Sequence, residues 1–148
     1  MEDIKKNLET VGRKISDAAE SCGRKREDVL LVAVSKTRTP EEINTAIDAG
    51  TTDIGENKVQ EIVDKFDDVK PVRWHMIGHL QTNKVKYIID KVDMIHSVDS
   101  LKLAREIDKR AGQHGKIMDI LVQINPAEEE SKFGVTIDGV DALVGDIL

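Results

Sequence analysis

The sequence predicts an α/β fold: a (β/α)8 TIM-barrel, with about five of the eight βα units present after an N-terminal helix. Short apolar runs alternate with amphipathic helical patterns at a period of roughly 20 residues, which is the rhythm of βαβ units around a parallel sheet. The first run is followed by S-K-T-R-T-P and not by a G-x-G-x-x-G turn, which argues against a dinucleotide-binding domain. Polar residues at the end of each run fit a barrel better.

The chain begins with a predicted helix, strand and second helix. Residues 3–22 place their apolar side chains on one helical face. The run V-L-L-V-A-V then predicts a first strand at about 29–35, buried on both faces as in a parallel sheet. Thr39 begins the next helix, because Pro40 suits the first helical position and Glu42 stands three residues after the cap.

The same alternation of strand and helix continues along the rest of the sequence. Each further strand is short and apolar, and the helices that follow carry apolar residues at helical spacing. The predicted strands lie at 52–55, 72–78, 93–97 and 117–125. The predicted helices lie at 58–66 and 83–90, from a cap at Asp99 or Ser100 to 111, and from about 138 onward.

Composition and charge exclude several classes of function. The net charge is −6 and the one basic cluster, at 24–26, is followed at once by two acidic residues, so no nucleic-acid partner is predicted. The longest apolar run, 29–34, is far too short to span a bilayer, so no membrane partner is predicted either. Cys22 is the only cysteine, which excludes an internal disulfide. These features together predict a cytoplasmic protein.

Five polar side chains stand at the ends of the predicted strands, where barrel proteins build their sites. They are Lys36, Asn57, His79, Ser97 and Asn125. An amine at the end of a buried strand can attack an aldehyde if the site keeps it neutral, and desolvation favours the neutral form. Taken alone, Lys36 is more often an ordinary solvated lysine. Asn57 and Ser97 fit a helix cap or the start of a loop equally well.

His75 and His79 form an H-x-x-x-H pattern that invites a metal interpretation. The surrounding residues favour a strand, on which four residues span about 13 Å, too far for one ion to bridge. No metal site is therefore predicted. The G-x-S-x-G sequence of an α/β-hydrolase nucleophile is also absent, and no catalytic residue is assigned.

Several short sequence motifs in this chain occur together in one known family. They are V-A-V-S-K-T at 32–37, G-E-N-K-V-Q-E at 55–61, W-H-M-I-G-H-L-Q-T-N-K at 74–84, H-S-V-D-S at 96–100, V-Q-I-N at 122–125 and E-S-K-F-G at 130–134. In this order they resemble the pyridoxal phosphate homeostasis proteins, which are single-domain relatives of the alanine racemase barrel. The resemblance runs from the first helix to the last residue.

The resemblance implies a barrel of the alanine racemase type that binds pyridoxal 5'-phosphate (PLP). Lys36 matches the lysine that carries PLP as an aldimine, and Asn57 and His79 match polar positions of the cofactor pocket. The implied function is intracellular PLP homeostasis without an established enzymatic reaction. The alternative is a PLP-dependent amino-acid racemase, which needs a second acid–base group. Tyr87, the only tyrosine, is predicted to lie in a helix.

The sequence departs from the family in its last part. The family's phosphate-binding motifs, such as S-M-G-M-S and V-R-I-G, belong to the last strands of the barrel and do not occur in this sequence. We therefore expect residues 1–148 to form a single PLP-binding barrel domain that is incomplete at its C-terminus. Its first and fifth strands would be open edges, which predicts a homo-oligomer through exposed strand edges.

Overall fold

The computed structural model describes residues 2–148, so Met1 of the predicted domain lies outside the described residues. Five strands form one parallel sheet in the order of the sequence: β1 (Ala33–Val34), β2 (Asp53–Glu56), β3 (Arg73–Met76), β4 (Met94–Val98) and β5 (Asp119–Val122). The helices are α1 (Glu2–Ser21), α2 (Pro40–Asp48), α3 (Val59–Lys65), α4 (Val85–Ile88), α5 (Leu101–Gln113) and α6 (Val140–Ile147).

The strand order confirms the predicted α/β class. A doubly wound nucleotide-binding sheet reverses its strand order near the middle, whereas a barrel adds each new strand beside the last. Here every strand pairs with the one before it and the one after it, and a helix follows each strand. The sheet therefore has the winding of a (β/α) barrel with five units, as predicted.

The core lies between one face of the sheet and the helices. Strand residues Ile54, Met76 and Ile95 are at most 1% exposed, and they pack with helix residues such as Ile62 and Ile88. The core is mostly aliphatic, as the low aromatic content requires. Within residues 2–148, no helix is long and apolar enough to cross a membrane.

The prediction for the first strand was wrong in its extent and its burial. The strand was predicted at 29–35 with both faces buried, but β1 contains two residues, and Leu30 and Val34 are 59% and 53% exposed. The physical reason is position: β1 lies at the edge of the sheet and has β2 as its single strand neighbour. Apolar composition predicts a buried strand but does not distinguish the centre of a sheet from its edge.

The helix starts were predicted more accurately than the strand ends. Thr39 Oγ1 accepts a hydrogen bond from the Glu42 backbone N–H, and Glu42 Oε2 accepts one from the Thr39 N–H at 2.8 Å, so the predicted capping box is confirmed. Ser100 is the cap of α5, since its hydroxyl accepts from the N–H of Leu103. These caps depend on residues close in sequence, which is why the sequence reveals them.

Candidate functional site

Four of the five predicted site residues follow the carboxyl ends of strands. Lys36, Asn57, His79 and Asn125 come after β1, β2, β3 and β5 respectively. Because all five strands are parallel, these positions belong to the same edge of the sheet. This edge is the one at which barrel proteins bind their ligands.

Asn57 and His79 are brought together by close packing of the chain after β2 against the chain after β3. A Cβ atom at Gly78 would lie 2.3 Å from the backbone oxygen of Asn57, so only glycine allows this approach. The neighbouring His79 ring is exposed and stacks on Phe133, with centroids 3.6 Å apart and planes within 8° of parallel. Asn57 and His79 also line one surface pocket of about 560 Å³ between α3 and α4.

Asn125 holds the loop that carries Phe133. Its side-chain Nδ2 donates hydrogen bonds to the backbone oxygens of Glu129, at 2.8 Å, and Lys132, at 3.3 Å. Gly134, which has a positive φ of 121°, brings the end of the loop against the backbone of Asn125. Both donors of the Asn125 amide are therefore engaged within the protein, which leaves its oxygen as the group for a ligand.

Ser97 is the one predicted site residue that the structure does not place with the others. It lies inside β4 and not after it, and it is 1% exposed. The register between β4 and β5 shifts between Ile95 and Val98, and Ser97 and Val98 are both buried at this irregularity. Within the described residues the Ser97 hydroxyl has no hydrogen-bond partner.

Lys36 is exposed, and its Nζ has no hydrogen-bonding or ionic partner among residues 2–148. Its two neighbours are held firmly. The Ser35 hydroxyl donates to Glu56 Oε2 at 2.7 Å, and the Thr37 N–H donates to Glu61 Oε2 at 2.9 Å. The chain turns directly after Lys36, because Thr37 has a positive φ of 63°.

A second lysine, Lys65, lies near Lys36 and is buried in an ionic cluster that the sequence analysis did not predict. Its Nζ donates to Glu61 Oε2 at 2.6 Å, to Glu56 Oε2 at 2.9 Å and to the Ser35 backbone oxygen at 3.0 Å. We call Lys65, Glu56 and Glu61 the Lys65 cluster. One signal was visible in the sequence: Lys65 stands three residues after Ile62, on the apolar face of the predicted helix.

Charges and hydrogen bonds in the Lys65 cluster shift the pKa values of Lys65 and Glu61. Burial alone would lower the pKa of Lys65, but hydrogen bonds and negative charge from Glu61 and Glu56 outweigh burial and raise it. The hydrogen bonds from Lys65 and from the Thr37 backbone hold the pKa of Glu61 below its usual range. Lys65 therefore remains an ammonium ion and is unsuited to attack an aldehyde.

A hydrogen-bonded chain of three side chains, Asp53, His75 and His96, crosses strands β2, β3 and β4, and sequence reasoning missed it as well. Asp53 Oδ2 lies 2.8 Å from His75 Nε2, and His75 Nδ1 lies 2.8 Å from His96 Nε2. Asp53 and His75 are each 2% exposed. Burial raises the pKa of the Asp53 carboxyl, but hydrogen bonds from His75 and Thr52 and nearby positive charge bring it below its ordinary value.

His75 and His79 thus have separate environments, although the sequence spaces them as H-x-x-x-H. His75 is bound to Asp53 and His96, whereas His79 stacks on Phe133. Among residues 2–148 no group of three histidine, cysteine, aspartate or glutamate side chains is arranged to hold a metal ion. The pair of histidines therefore contributes to two different parts of the sheet.

Replacing His96 with glutamine is expected to weaken the pH dependence of stability between pH 7.5 and 5.5. Burial, and then the charge of His75, lower the pKa of folded His96 below its ordinary value of 6.5. As the pH falls below about 6.5, the unfolded chain takes up the proton first, so the native chain loses stability in this window. Urea unfolding at both pH values measures the loss; an equal loss in the His96→Gln variant would contradict the prediction.

A five-stranded parallel sheet wound in sequence order, with a lysine after its first strand, defines a (β/α)-barrel protein with its candidate site at the strand ends. The family model for the alanine racemase N-terminal domain matches residues 4–148. The chain therefore belongs to the alanine racemase N-terminal domain family, and the resemblance recognised in the sequence is confirmed.

Similar proteins agree with this assignment. The pyridoxal phosphate homeostasis protein of Escherichia coli strain K12 is 40% identical over 152 residues, a match that covers 99% of this chain and 65% of that protein. The protein of the same name from Aquifex aeolicus is 43% identical over 130 residues, covering 86% of this chain and 57% of the relative. The chain thus spans less than two thirds of the length of these curated relatives.

Solved structures show the same fold. The crystal structure of a protein from Bifidobacterium adolescentis matches with a TM-score of 0.88 at 33% identity, over 99% of this chain and 64% of that one. PipY of Synechococcus elongatus, solved with PLP bound, matches with a TM-score of 0.73 at 31% identity, over 90% of this chain and 63% of PipY. These similarities extend the agreement from sequence to three-dimensional structure.

Proposed function

We propose that the protein binds pyridoxal 5'-phosphate through Lys36 and takes part in intracellular PLP homeostasis. The observation that carries the proposal is a lysine at the carboxyl end of β1 whose amine has no partner among residues 2–148, while both neighbouring residues are fixed. The names of the curated relatives and the PLP bound to PipY support it.

The chemistry needs a neutral amine that is free to react. Lysine Nζ attacks the aldehyde carbon, a C=N bond forms, and the aldehyde oxygen leaves as water. A carboxylate beside the amine would favour the charged form and oppose this step, as Glu56 and Glu61 do for Lys65. Lys36 has no such carboxylate within ion-pair distance in the described chain, which supports Lys36 over Lys65 as the proposed nucleophile.

The other four predicted site residues differ in how accessible they are to a pyridoxal ligand. We propose that Asn57 and His79 contact the ligand, since both lie at the edge of the sheet that Lys36 occupies. Asn125 offers its amide oxygen. Ser97 is the least accessible, and its free hydroxyl serves a ligand only if β4 opens locally.

An amino-acid racemase is the alternative. Such an enzyme needs a second acid–base group across the ligand from the lysine. Tyr87 does not suit this role, because it is 48% exposed in the short helix α4, where the ammonium groups of Lys84 and Lys86 lie over its ring. We therefore propose a carrier without catalytic turnover, and an assay of alanine racemisation separates the two functions.

Lys36→Ala is expected to abolish covalent labelling by PLP. The intact chain, mixed with PLP and reduced with borohydride, should gain one pyridoxyl group on Lys36, which peptide mass spectrometry locates. Lys36→Arg should also fail, because a guanidinium stays charged and forms no C=N bond with the aldehyde. Lys58→Ala is the matched control: Lys58 is an exposed lysine after the neighbouring strand β2, and its loss should leave labelling of Lys36 unchanged. Labelling confined to other lysines would refute the proposal.

We further propose that residues 1–148 act as one cytoplasmic domain that associates with itself. The single cysteine and the net charge of −6 support the cytoplasmic assignment.

In the described chain β1 and β5 each have one strand neighbour, although Val135 pairs with Ile124 just beyond β5. Apolar side chains at both edges, Val34 and Leu121, are about half exposed, which supports association there. Sedimentation velocity measures the oligomeric state.

A further inference from the structure

The Lys65 cluster contacts the backbone on both sides of Lys36. Before Lys36, the Ser35 carbonyl accepts from Lys65 Nζ and the Ser35 hydroxyl donates to Glu56. After Lys36, the Thr37 N–H donates to Glu61. Lys65 and the two carboxylates that it binds therefore hold residues 35 and 37, while the Lys36 side chain makes none of these contacts.

The cluster is buried where it binds Ser35 and partly exposed where Glu61 binds Thr37. Glu56 is 0% exposed and Lys65 is 8% exposed. A buried ion pair is weak evidence for stability, because the loss of hydration opposes the attraction between the charges. Separating the partners of such a pair is costly, because each buried hydrogen-bonding group would lose its partner. The pair therefore favours the one geometry in which all partners are kept.

The geometry that the cluster selects is an unfavourable one. Thr37 is β-branched and has a φ of 63°, in the left-handed region that such residues rarely adopt. Residues remain in this region when surrounding bonds hold them there, and such strain is common beside functional groups. Here the charged acceptor for the Thr37 N–H is Glu61, whose carboxylate is held by Lys65.

We infer that Glu61 and Lys65 are positioning residues for Lys36: they hold the turn at Thr37, so that the Lys36 amine is presented to an aldehyde ligand in one orientation. The inference rests on the proposed function, because positioning of Lys36 matters only if Lys36 reacts with PLP. Glu61 and Lys65 themselves form no bond with the ligand.

The test uses Glu61→Ala in the full chain. Alanine is a good helix former and Glu61 is partly exposed in α3, so the variant is expected to fold. Two rates are measured: hydrogen exchange at the Thr37 amide without ligand, and labelling of Lys36 by PLP and borohydride. We expect faster exchange at Thr37 and at least tenfold slower labelling.

Two further variants separate positioning from a general loss of stability. Glu61→Gln keeps an oxygen that accepts from the Thr37 N–H and should restore part of the labelling rate. Glu106→Ala is the matched control, because Glu106 forms an ion pair of the same i, i+4 type with Arg110, at 2.7 Å, in α5. Its loss should leave both the Thr37 exchange rate and the Lys36 labelling rate unchanged.

The outcomes distinguish this inference from the proposed function. If Glu61→Ala speeds exchange at Thr37 but labels Lys36 at the normal rate, the cluster has a structural role only and the inference is overturned. An equal slowing of labelling in Glu106→Ala would overturn it too. If the unaltered chain shows no labelling of Lys36, the proposed function fails and the inference fails with it.

Discussion

Gly78→Ala is expected to destabilise the protein by roughly 1–3 kcal/mol or more, because it forces an atom into space that the backbone already occupies. The new Cβ would lie 2.3 Å from the backbone oxygen of Asn57 and 2.8 Å from its Cα. These are backbone atoms, which cannot rotate away as the end of a side chain can. The chains after β2 and β3 must therefore separate, and Asn57 and His79 move with them.

Gly112→Ala provides the matched control for this prediction. Gly112 lies in α5, and a Cβ atom there meets nothing within 4 Å in the described structure. Alanine in a helix is favoured over glycine by up to about 1 kcal/mol, so this variant is expected to be slightly more stable than the parent. Urea unfolding of both variants measures the two changes, which should have opposite signs. A Gly78→Ala protein as stable as the parent would show that the loops after β2 and β3 separate freely.

The position of Gly78 also shows how much of the site the sequence could predict. The order of strands and helices follows from the alternation of apolar patterns, and the caps at Thr39 and Ser100 follow from neighbouring residues. From the parallel order, the residues after each strand can be assigned to one edge, so the sequence predicts that Lys36 and Asn57 lie at the same edge. The sequence gives these features because each depends on local pattern or on a general rule of parallel sheets.

Contacts that depend on register between strands could not be predicted in this way. Asp53, His75 and His96 meet because β2, β3 and β4 pair with particular offsets, such as Gly55 opposite His75. A shift of one residue would move every side chain to the other face. The pairing of β4 with β5 is also irregular between Ile95 and Val98, beside the buried Ser97, and the apolar pattern carries no signal of this irregularity.

Lys65→Met is expected to cost roughly 3–5 kcal/mol of stability, because it leaves a buried carboxylate without its counter-ion. Glu56 is 0% exposed, and after the substitution its remaining hydrogen bond is the one from the Ser35 hydroxyl. Whole domains are stable by about 5–15 kcal/mol, so a loss of this size removes a large share of the total. The free energy of unfolding in urea measures it.

An exposed ion pair of similar length gives the control. Lys70 Nζ lies 2.6 Å from Asp48 Oδ1, but both side chains are more than half exposed, so Lys70→Met should cost no more than about 1 kcal/mol. The double variant Lys65→Met with Glu56→Leu should recover much of the loss, since it removes the unpaired charge as well. If Lys65→Met were no more damaging than Lys70→Met, Glu56 would be reached by water, and the cluster would be too loose to hold Ser35. The stability difference between these two lysine variants therefore measures how firmly the backbone before Lys36 is fixed.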